Sequence, residues 1–238
     1  MAGHSKWANI KHRKAAQDAK RGKIFTRLVK EITVAAKTAG GDPATNIRLR
    51  TLIEKAKEAN MPLDNLKRAI QKGTGELPGT SYEEYMYEGY GPHGMAVIVE
   101  VLTDNKNRAV ADVRHAFTSK GGSLAEGGAV SWMFSKTGVV RAQGSGVSED
   151  DIFEKLLDYD VADISHDEDT FEITCNPRSL EDIKAVLTQA GLKVESAEME
   201  WVASNKTSLS EEQQEQAFTF LNALENLDDV QNVYTNLE

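Results

Sequence analysis

The stretch "GVVRAQGSGVSEDDIFEKLLDYDVADISHDEDTFEITCNPRSLEDIKAVLTQAGLKVESAEMEW", residues 138–201, decides the fold because strand and helix patterns alternate within it in a recognisable order. Strand patterns at about 138–142, 161–165, 170–175 and 193–201 alternate with helical patterns at 149–159 and 180–190. The resulting order, βαββαβ, is that of the ferredoxin-like motif. We therefore predict a two-layer domain with one sheet and two helices.

Both helices of this stretch carry start signals. Ser148 with Asp151, and Ser179 with Asp182, have the spacing of capping boxes, in which two side chains satisfy the first backbone N–H groups of a helix. Gly191 follows the second helical pattern and predicts its end. The helices of this segment are thus predicted from signals within the segment itself.

The first 75 residues predict helices alone. The first pattern ends at Gly40-Gly41, the second begins at Asp42-Pro43, and the third begins at Met61-Pro62 and ends at Gly73. Ile47 and Leu63 are assigned to the apolar faces of the second and third helices. Because such short helices must pack together to bury those faces, we predict a three-helix bundle preceded by an arm, residues 1–16. Residues 73–81, "GTGELPGTS", read as a linker.

The remaining segments predict a domain made of two separate parts. A buried strand pattern at 94–104, a helix at 105–120 and strand character at 129–142 lack closing partners, as do a helix at 211–226 and a strand at 230–235 near the C-terminus. Since unpaired strands are costly, residues 207–238 are expected to fold back onto 82–135. The fold class is therefore α+β: an N-terminal bundle (1–75), a discontinuous α/β middle domain (82–135 plus 207–238) and an inserted ferredoxin-like domain (136–204).

Charge divides the chain at the same boundary. Residues 1–75 hold 17 Lys or Arg and 6 Asp or Glu, whereas residues 76–238 hold 11 and 31, for a total formal charge of −9. A basic module in an acidic protein indicates a polyanionic partner for that module, because Lys and Arg neutralise phosphate. The acidic remainder repels a polyanion and is suited to a protein or basic partner.

The sequence gives little support for a nucleotide site, a metal site or an enzyme active site. "GYGPHG", residues 89–94, matches a dinucleotide-binding pattern, but a strand follows it and Pro92 interrupts it, so we interpret it as a tight turn. The histidines lack metal-ligand spacing, and Cys175, the single cysteine, fits an alternating strand position. Carboxylates at 147–172 fall at caps and turns. We expect no enzyme, cofactor, metal or small-molecule substrate, no membrane span, and a cytoplasmic location. Trp132, Met133 and Phe134 are expected in the core.

The candidate nucleic-acid contacts lie in the arm and the start of the first helix. They are Lys6, Trp7, Lys11, His12, Arg13, Lys14, Lys20, Arg21, Lys23 and Arg27. Trp7 could stack on a base or pack the arm onto the bundle, and both interpretations stay open. No set of side chains predicts base readout, so we expect positioning on phosphate.

Three segments carry a resemblance to a known family. "MAGHSKWANIKHRKAAQDAKRGKIFTRL" (1–28), "YEGYGPHGMAVIVEVLTDNKNRAVADVRHAF" (87–117) and "GAVSWMF" (128–134) resemble the YebC/PmpR family. The resemblance implies three domains, with a discontinuous middle one. It also implies a transcriptional regulator that binds DNA, with relatives that activate mitochondrial translation or act on ribosomes stalled on proline-rich stretches. The signature residues, from Lys6 to Lys23, would be the nucleic-acid contacts.

The function hypothesis is a non-enzymatic regulator of gene expression that binds nucleic acid through residues 1–75. DNA at promoters and rRNA in the ribosome are both compatible with the charge, so the partner is either the transcription machinery or the ribosome. A protein-interaction scaffold is the third alternative.

Overall fold

The computed structural model describes residues 21–144, 146–167 and 169–238. Helices come first, and two four-stranded sheets with their own helices follow, which confirms the predicted α+β class. The bundle contains α1 (Arg21–Ala39), α2 (Ile47–Glu58) and α3 (Leu63–Thr74). The later elements are β1 (Glu83–Tyr90), β2 (Ala96–Thr103), α4 (Lys106–Ser119), β3 (Ser123–Leu124), β4 (Phe134–Gln143), α5 (Glu149–Leu156), β5 (Val161–Asp167), β6 (Thr170–Cys175), α6 (Leu180–Gln189), β7 (Lys193–Ala203), α7 (Glu211–Glu225) and β8 (Val230–Thr235).

The bundle core forms where α1 meets the other two helices. Leu28 and Ile32 of α1 pack with Leu49 and Leu52 of α2 and with Leu66 of α3. These apolar residues recur at helical spacing, so each helix buries one stripe. The apolar stripes that predicted the three helices therefore also form the core of the bundle.

The end of α3 differs from the prediction. Gly73 lies inside the helix, and the chain leaves it at Gly75, which has φ +83°. A Cβ at Gly73 would stand 2.4 Å from the Thr33 carbonyl oxygen and 2.7 Å from the Ala36 Cβ. Gly73 is thus required for the close approach of α1 and α3, whereas Gly75 supplies the left-handed C-terminal residue.

The start of α2 also differs. The helix begins at Ile47 with Asn46 as its N-cap, and Asp42-Pro43 stands in the preceding turn. The Asn46 Oδ1 accepts from the Leu49 N–H at 3.0 Å, while its Nδ2 donates to the carbonyls of Ala35 and Gly40, both at 2.8 Å. A single buried amide therefore ends α1 and begins α2, a connection that only the tertiary structure creates.

Two residues assigned to apolar faces are exposed. Ile47 is 69% and Leu63 61% exposed. Ile47 precedes the buried Leu49 by two residues, which turns it to the far side of α2. Leu63 stands in the first turn of α3, and the buried stripe of that helix begins only at Leu66.

The first sheet has the order β3-β1-β2-β8 and is antiparallel. The C-terminal strand β8 pairs with β2, with Val233 opposite Val99. The residues that face α4 and α7 form one core, in which the rings of Phe117 and Phe220 meet edge to face at 5.1 Å. Strand β1 was not predicted, because the three acids and the glycine of "EEYMYEGY" weaken a strand signal that its tyrosines favour.

The second sheet has the order β5-β6-β4-β7, all antiparallel, as the ferredoxin-like motif requires. Helices α5 and α6 contribute Ile152 and Ile183 to a core that contains Phe171 and Ile173 of β6. Cys175 is buried in the same core. It behaves as the small apolar residue that its alternating position predicts.

One predicted capping box is present in this domain and one is absent. Ser148 and Asp151 form the reciprocal hydrogen bonds at the start of α5. Ser179 makes no capping hydrogen bond, because a 3₁₀ turn at Pro177–Ser179 leads into α6 and the Asn176 side chain accepts from the Arg178 N–H instead. Proline at the preceding turn therefore overrides the local box pattern.

The two sheets meet through a small apolar cluster. Ala96 and Ile98 of β2 pack with Val130 and Phe134, and the partly buried Trp201 of β7 lies against them. Trp132, expected in the core, is 70% exposed. In the part of the chain that the structure describes, none of the helices has the length and hydropathy of a membrane span.

Candidate nucleic-acid interface

Most of the predicted contact residues fall outside the described residues. These are Lys6, Trp7, Lys11, His12, Arg13, Lys14 and Lys20. Arg21 is the first residue of α1, where only its backbone is described. Lys23 and Arg27 are the two predicted contacts whose side chains the structure places.

Lys23 and Arg27 both face the C-terminus of α7. The Lys23 Nζ donates to the Glu225 carbonyl oxygen at 2.5 Å, and the Arg27 Nη2 donates to the same oxygen at 2.8 Å. A helix C-terminus carries partial negative charge and unpaired carbonyls, so two cations stabilise it. Burial lowers the pKa of the Arg27 guanidinium, against the opposing effect of Glu225 and other acids. These two residues thus join the bundle to the middle domain.

Lys30 extends the same contact. Its Nζ lies 2.6 Å from the Asp229 Oδ1 and donates to the Asp228 carbonyl at 3.0 Å. The Asp229 Oδ2 accepts from Thr103 at 2.8 Å and from Arg108 at 2.9 Å. Burial alone would raise the pKa of Asp229, but the hydrogen bonds from Lys30, Arg108 and Thr103 outweigh it and lower that pKa.

The sequence contains a signal for this contact that did not enter the prediction. Lys23, Arg27 and Lys30 stand at i, i+4 and i+7, so they form one cationic stripe along α1. A stripe of this kind fits a single acceptor surface, and here the surface is the end of α7 with Asp229. Asp229 itself had no distinguishing pattern in the sequence.

The second helix contacts both α/β domains. Arg48 forms an ion pair with Glu84 of β1, and Lys55 lies 2.7 Å from Glu198 of β7. Between these contacts a cleft of about 700 Å³ opens among the bundle and the two sheets. Burial raises the pKa of Glu31, which lines this cleft.

A further set of cations on the bundle is exposed and has no intramolecular partner among the described residues. They are Arg50 and Lys57 on α2, with Lys67, Arg68 and Lys72 on α3. Arg50 and Lys57, seven residues apart, share one face of α2, and Arg68 and Lys72, four apart, share one face of α3. Such rows can each neutralise neighbouring phosphates.

Two other sequence motifs have structural roles. The "GYGPHG" segment forms the turn between β1 and β2, with His93 at φ +61° and the Gly91 N–H bonded to the Met95 carbonyl at 2.8 Å.

Burial raises the pKa of the Cys175 thiol to about 11, so the thiol stays protonated at neutral pH. Across the described ranges, no group of three or more His, Cys, Asp or Glu residues is arranged to hold a metal ion.

The bundle carries exposed cations, and other cations of the bundle join it to two acidic α/β domains. This arrangement defines a class of three-domain protein. Two family descriptions match this arrangement: "TACO1/YebC protein N-terminal domain" over residues 5–76, and "TACO1/YebC second and third domain" over residues 82–237. The chain belongs to the TACO1/YebC family, which confirms the resemblance seen in the sequence.

Relatives match over almost the full chain. A protein of Chlorobaculum tepidum named "Probable transcriptional regulatory protein" is 50% identical, over 100% of this chain and 95% of its own. One of Nitrosococcus oceani with the same name is 52% identical, over 100% and 96%. The crystal structure of a conserved hypothetical protein from Aquifex aeolicus shows the same fold, with a TM-score of 0.87, 44% identity and coverage of 98% of this chain and 97% of that one.

Proposed function

We propose that this protein is a non-enzymatic, cytoplasmic regulator of gene expression that binds DNA through its basic N-terminal module. The names of the relatives support a regulatory role. The nucleic-acid contact is supported by the charge of the module, which holds 17 Lys or Arg against 6 Asp or Glu in residues 1–75.

The observation that carries the proposal is that the described cations of the bundle fall into two groups, one bound to the middle domain and one exposed. Lys23, Arg27 and Lys30 hold the bundle against the middle domain, which fixes its orientation. Five other cations remain exposed without an intramolecular partner among the described residues: Arg50 and Lys57 on α2, and Lys67, Arg68 and Lys72 on α3. The bundle can therefore present cations to a phosphate backbone without giving up the contacts that hold it in place.

We expect this contact with nucleic acid to position the protein on the phosphate backbone rather than to recognise a base sequence. Phosphate contacts orient a protein on a duplex but do not distinguish bases, and the exposed cations on α2 and α3 are of the residue types that most often neutralise phosphate. Binding to irregular rRNA draws on the same charges. The experiment must therefore compare these nucleic acids directly.

The test measures the affinity of the full-length chain for duplex DNA, single-stranded RNA and ribosomes at one fixed low salt concentration. An arm variant carries Lys11→Ala, Arg13→Ala and Lys14→Ala. A control variant carries Arg114→Ala, Lys120→Ala and Lys193→Ala, which remove three exposed cations from the acidic part of the chain. Both variants change the net charge equally.

We expect duplex DNA to be bound most tightly, with the arm variant about tenfold or more weaker and the control within about twofold of the wild type. Tighter, arm-dependent binding to ribosomes would replace DNA by rRNA as the target. Equal loss in both variants would show that only the overall charge matters, and would contradict a dedicated interface.

A further inference from the structure

Two large, exposed aromatic side chains donate hydrogen bonds to the same backbone carbonyl near the end of β1. Trp132 is 70% and Tyr90 38% exposed. The Trp132 Nε1 donates to the Ala129 carbonyl oxygen at 3.1 Å, and the Tyr90 hydroxyl donates to the same oxygen at 3.2 Å. Both donor groups are thus occupied, which leaves the apolar rings and the acceptor oxygen of the Tyr90 hydroxyl available for contact.

The segment that carries Trp132 is held in place by a buried carboxylate. Glu88 of β1, 3% exposed, accepts from the backbone N–H groups of Gly128 and Val130 at 2.9 Å and of Ser131 at 2.8 Å. Burial alone would raise the pKa of Glu88, but these hydrogen bonds outweigh it and lower that pKa. Val130 and Phe134, which flank the 3₁₀ turn of Trp132, are buried.

An exposed tryptophan contributes little to folding through burial of its own ring. Trp and Tyr are, however, the residue types that most often dominate binding energy at protein interfaces. A preorganised ring also loses little entropy when a partner covers it. The pair therefore has the properties of a contact surface.

The charge around the pair selects the kind of partner. With its polar atoms occupied, the Trp132 ring can stack on a nucleobase, an apolar ring or a cation. Residues 76–238 hold 31 acids and 11 bases, so a phosphate chain is repelled and a cation attracted. Glu126, exposed, adds an acid to the same turn, where its carbonyl accepts from the Ala129 N–H at 3.2 Å.

We propose that Trp132 and Tyr90 form a docking surface for an arginine-bearing segment of a basic partner protein, with a guanidinium stacked on the indole ring. Arginine suits the site better than lysine because its planar group stacks on an aromatic face and is less strongly hydrated. The acidic domains then have a partner of their own, separate from the nucleic acid bound by the bundle.

The test measures binding of fluorescently labelled arginine-rich and lysine-rich peptides and of a single-stranded oligonucleotide to the full-length chain. Trp132→Ala removes the indole, Trp132→Phe keeps a smaller ring, and Phe153→Ala is the matched control, since Phe153 is a 57% exposed aromatic in the same acidic part of the chain. Circular dichroism checks that each variant folds.

We expect the arginine peptide to bind more tightly than the lysine peptide. Trp132→Ala should weaken the arginine peptide by about 5- to 30-fold, Trp132→Phe by less, and Phe153→Ala by under about twofold. The proposal fails if both alanine variants lose the same affinity, or if Trp132→Ala and Trp132→Phe change nothing. Trp132-dependent binding of the oligonucleotide in preference to the peptide would also overturn it, and would assign the ring to base stacking.

Discussion

Asp229 is a central acceptor where the bundle is attached to the middle domain. Its carboxylate accepts from Lys30, Thr103 and Arg108, and its side chain is 12% exposed. Removing one partner from a buried ion pair leaves the other charge without compensation, which costs more than the pair contributes. Lys30, with a side chain 9% exposed, would be left in that position.

Asp229→Asn is therefore expected to lower the free energy of unfolding by about 2–4 kcal/mol at pH 7. The native pKa of Asp229 lies below its unfolded value, so the carboxylate stabilises the fold above about pH 4 and this contribution is lost as the pH falls through the native pKa. The difference between wild type and variant should shrink as the pH falls below about 4. Urea denaturation at a series of pH values measures it.

A difference that stays constant down to pH 3 would contradict this account of Asp229.

Single residues such as this one were the hardest to predict from the sequence. The cationic stripe of α1 was visible there, but its acceptors lie some 200 residues further along the chain, as in the contact between Arg27 and Glu225. The exposed Trp132 was likewise misassigned to the core, because the sequence around it has the apolar character of a buried strand.

At the scale of elements, α1 and α3 approach each other closely at Gly73. A Cβ at Gly73 would press against the Thr33 carbonyl, which is backbone and cannot rotate away. A helical glycine that has space around it behaves in the opposite way, because alanine favours the helix. Gly22 of α1 is such a residue, because none of the described residues comes within 4 Å of a Cβ added there.

Gly73→Ala should therefore destabilise the protein by about 1–3 kcal/mol, since α1 and α3 must move apart. Gly22→Ala, the matched control, should leave stability unchanged or raise it by up to about 1 kcal/mol. Chemical denaturation of both variants gives the two values. Equal effects of the same sign would show that Gly73 has no special packing role.

Most elements could be predicted from the sequence because their signals are local. The box at Ser148 starts α5 as expected, and the βαββαβ order of the second sheet is present. The errors occur where a neighbouring element decides the outcome. Asn46 starts α2 because it also ends α1, and Gly73 lies within α3 because α1 approaches it.

At the scale of the whole molecule, charge has two uses within one basic module. Part of it attaches the bundle to the acidic domains, through Lys30 with Asp229 and Lys55 with Glu198. The exposed part, on the outer faces of α2 and α3, has no such partner among the described residues. The total charge of residues 1–75 could be read from the sequence, but its division between the two uses could not, because pairing depends on the docked domains.

The central claim is that the exposed cations of the bundle contact phosphate. The most direct test is the salt dependence of duplex DNA binding by the full-length chain, compared with a variant carrying Lys67→Ala, Arg68→Ala and Lys72→Ala. We predict that the slope of log K against log salt falls by about 0.9 for each phosphate that the variant no longer neutralises, and that the Arg114, Lys120 and Lys193 control keeps the wild-type slope. Identical slopes for wild type and both variants would contradict the claim.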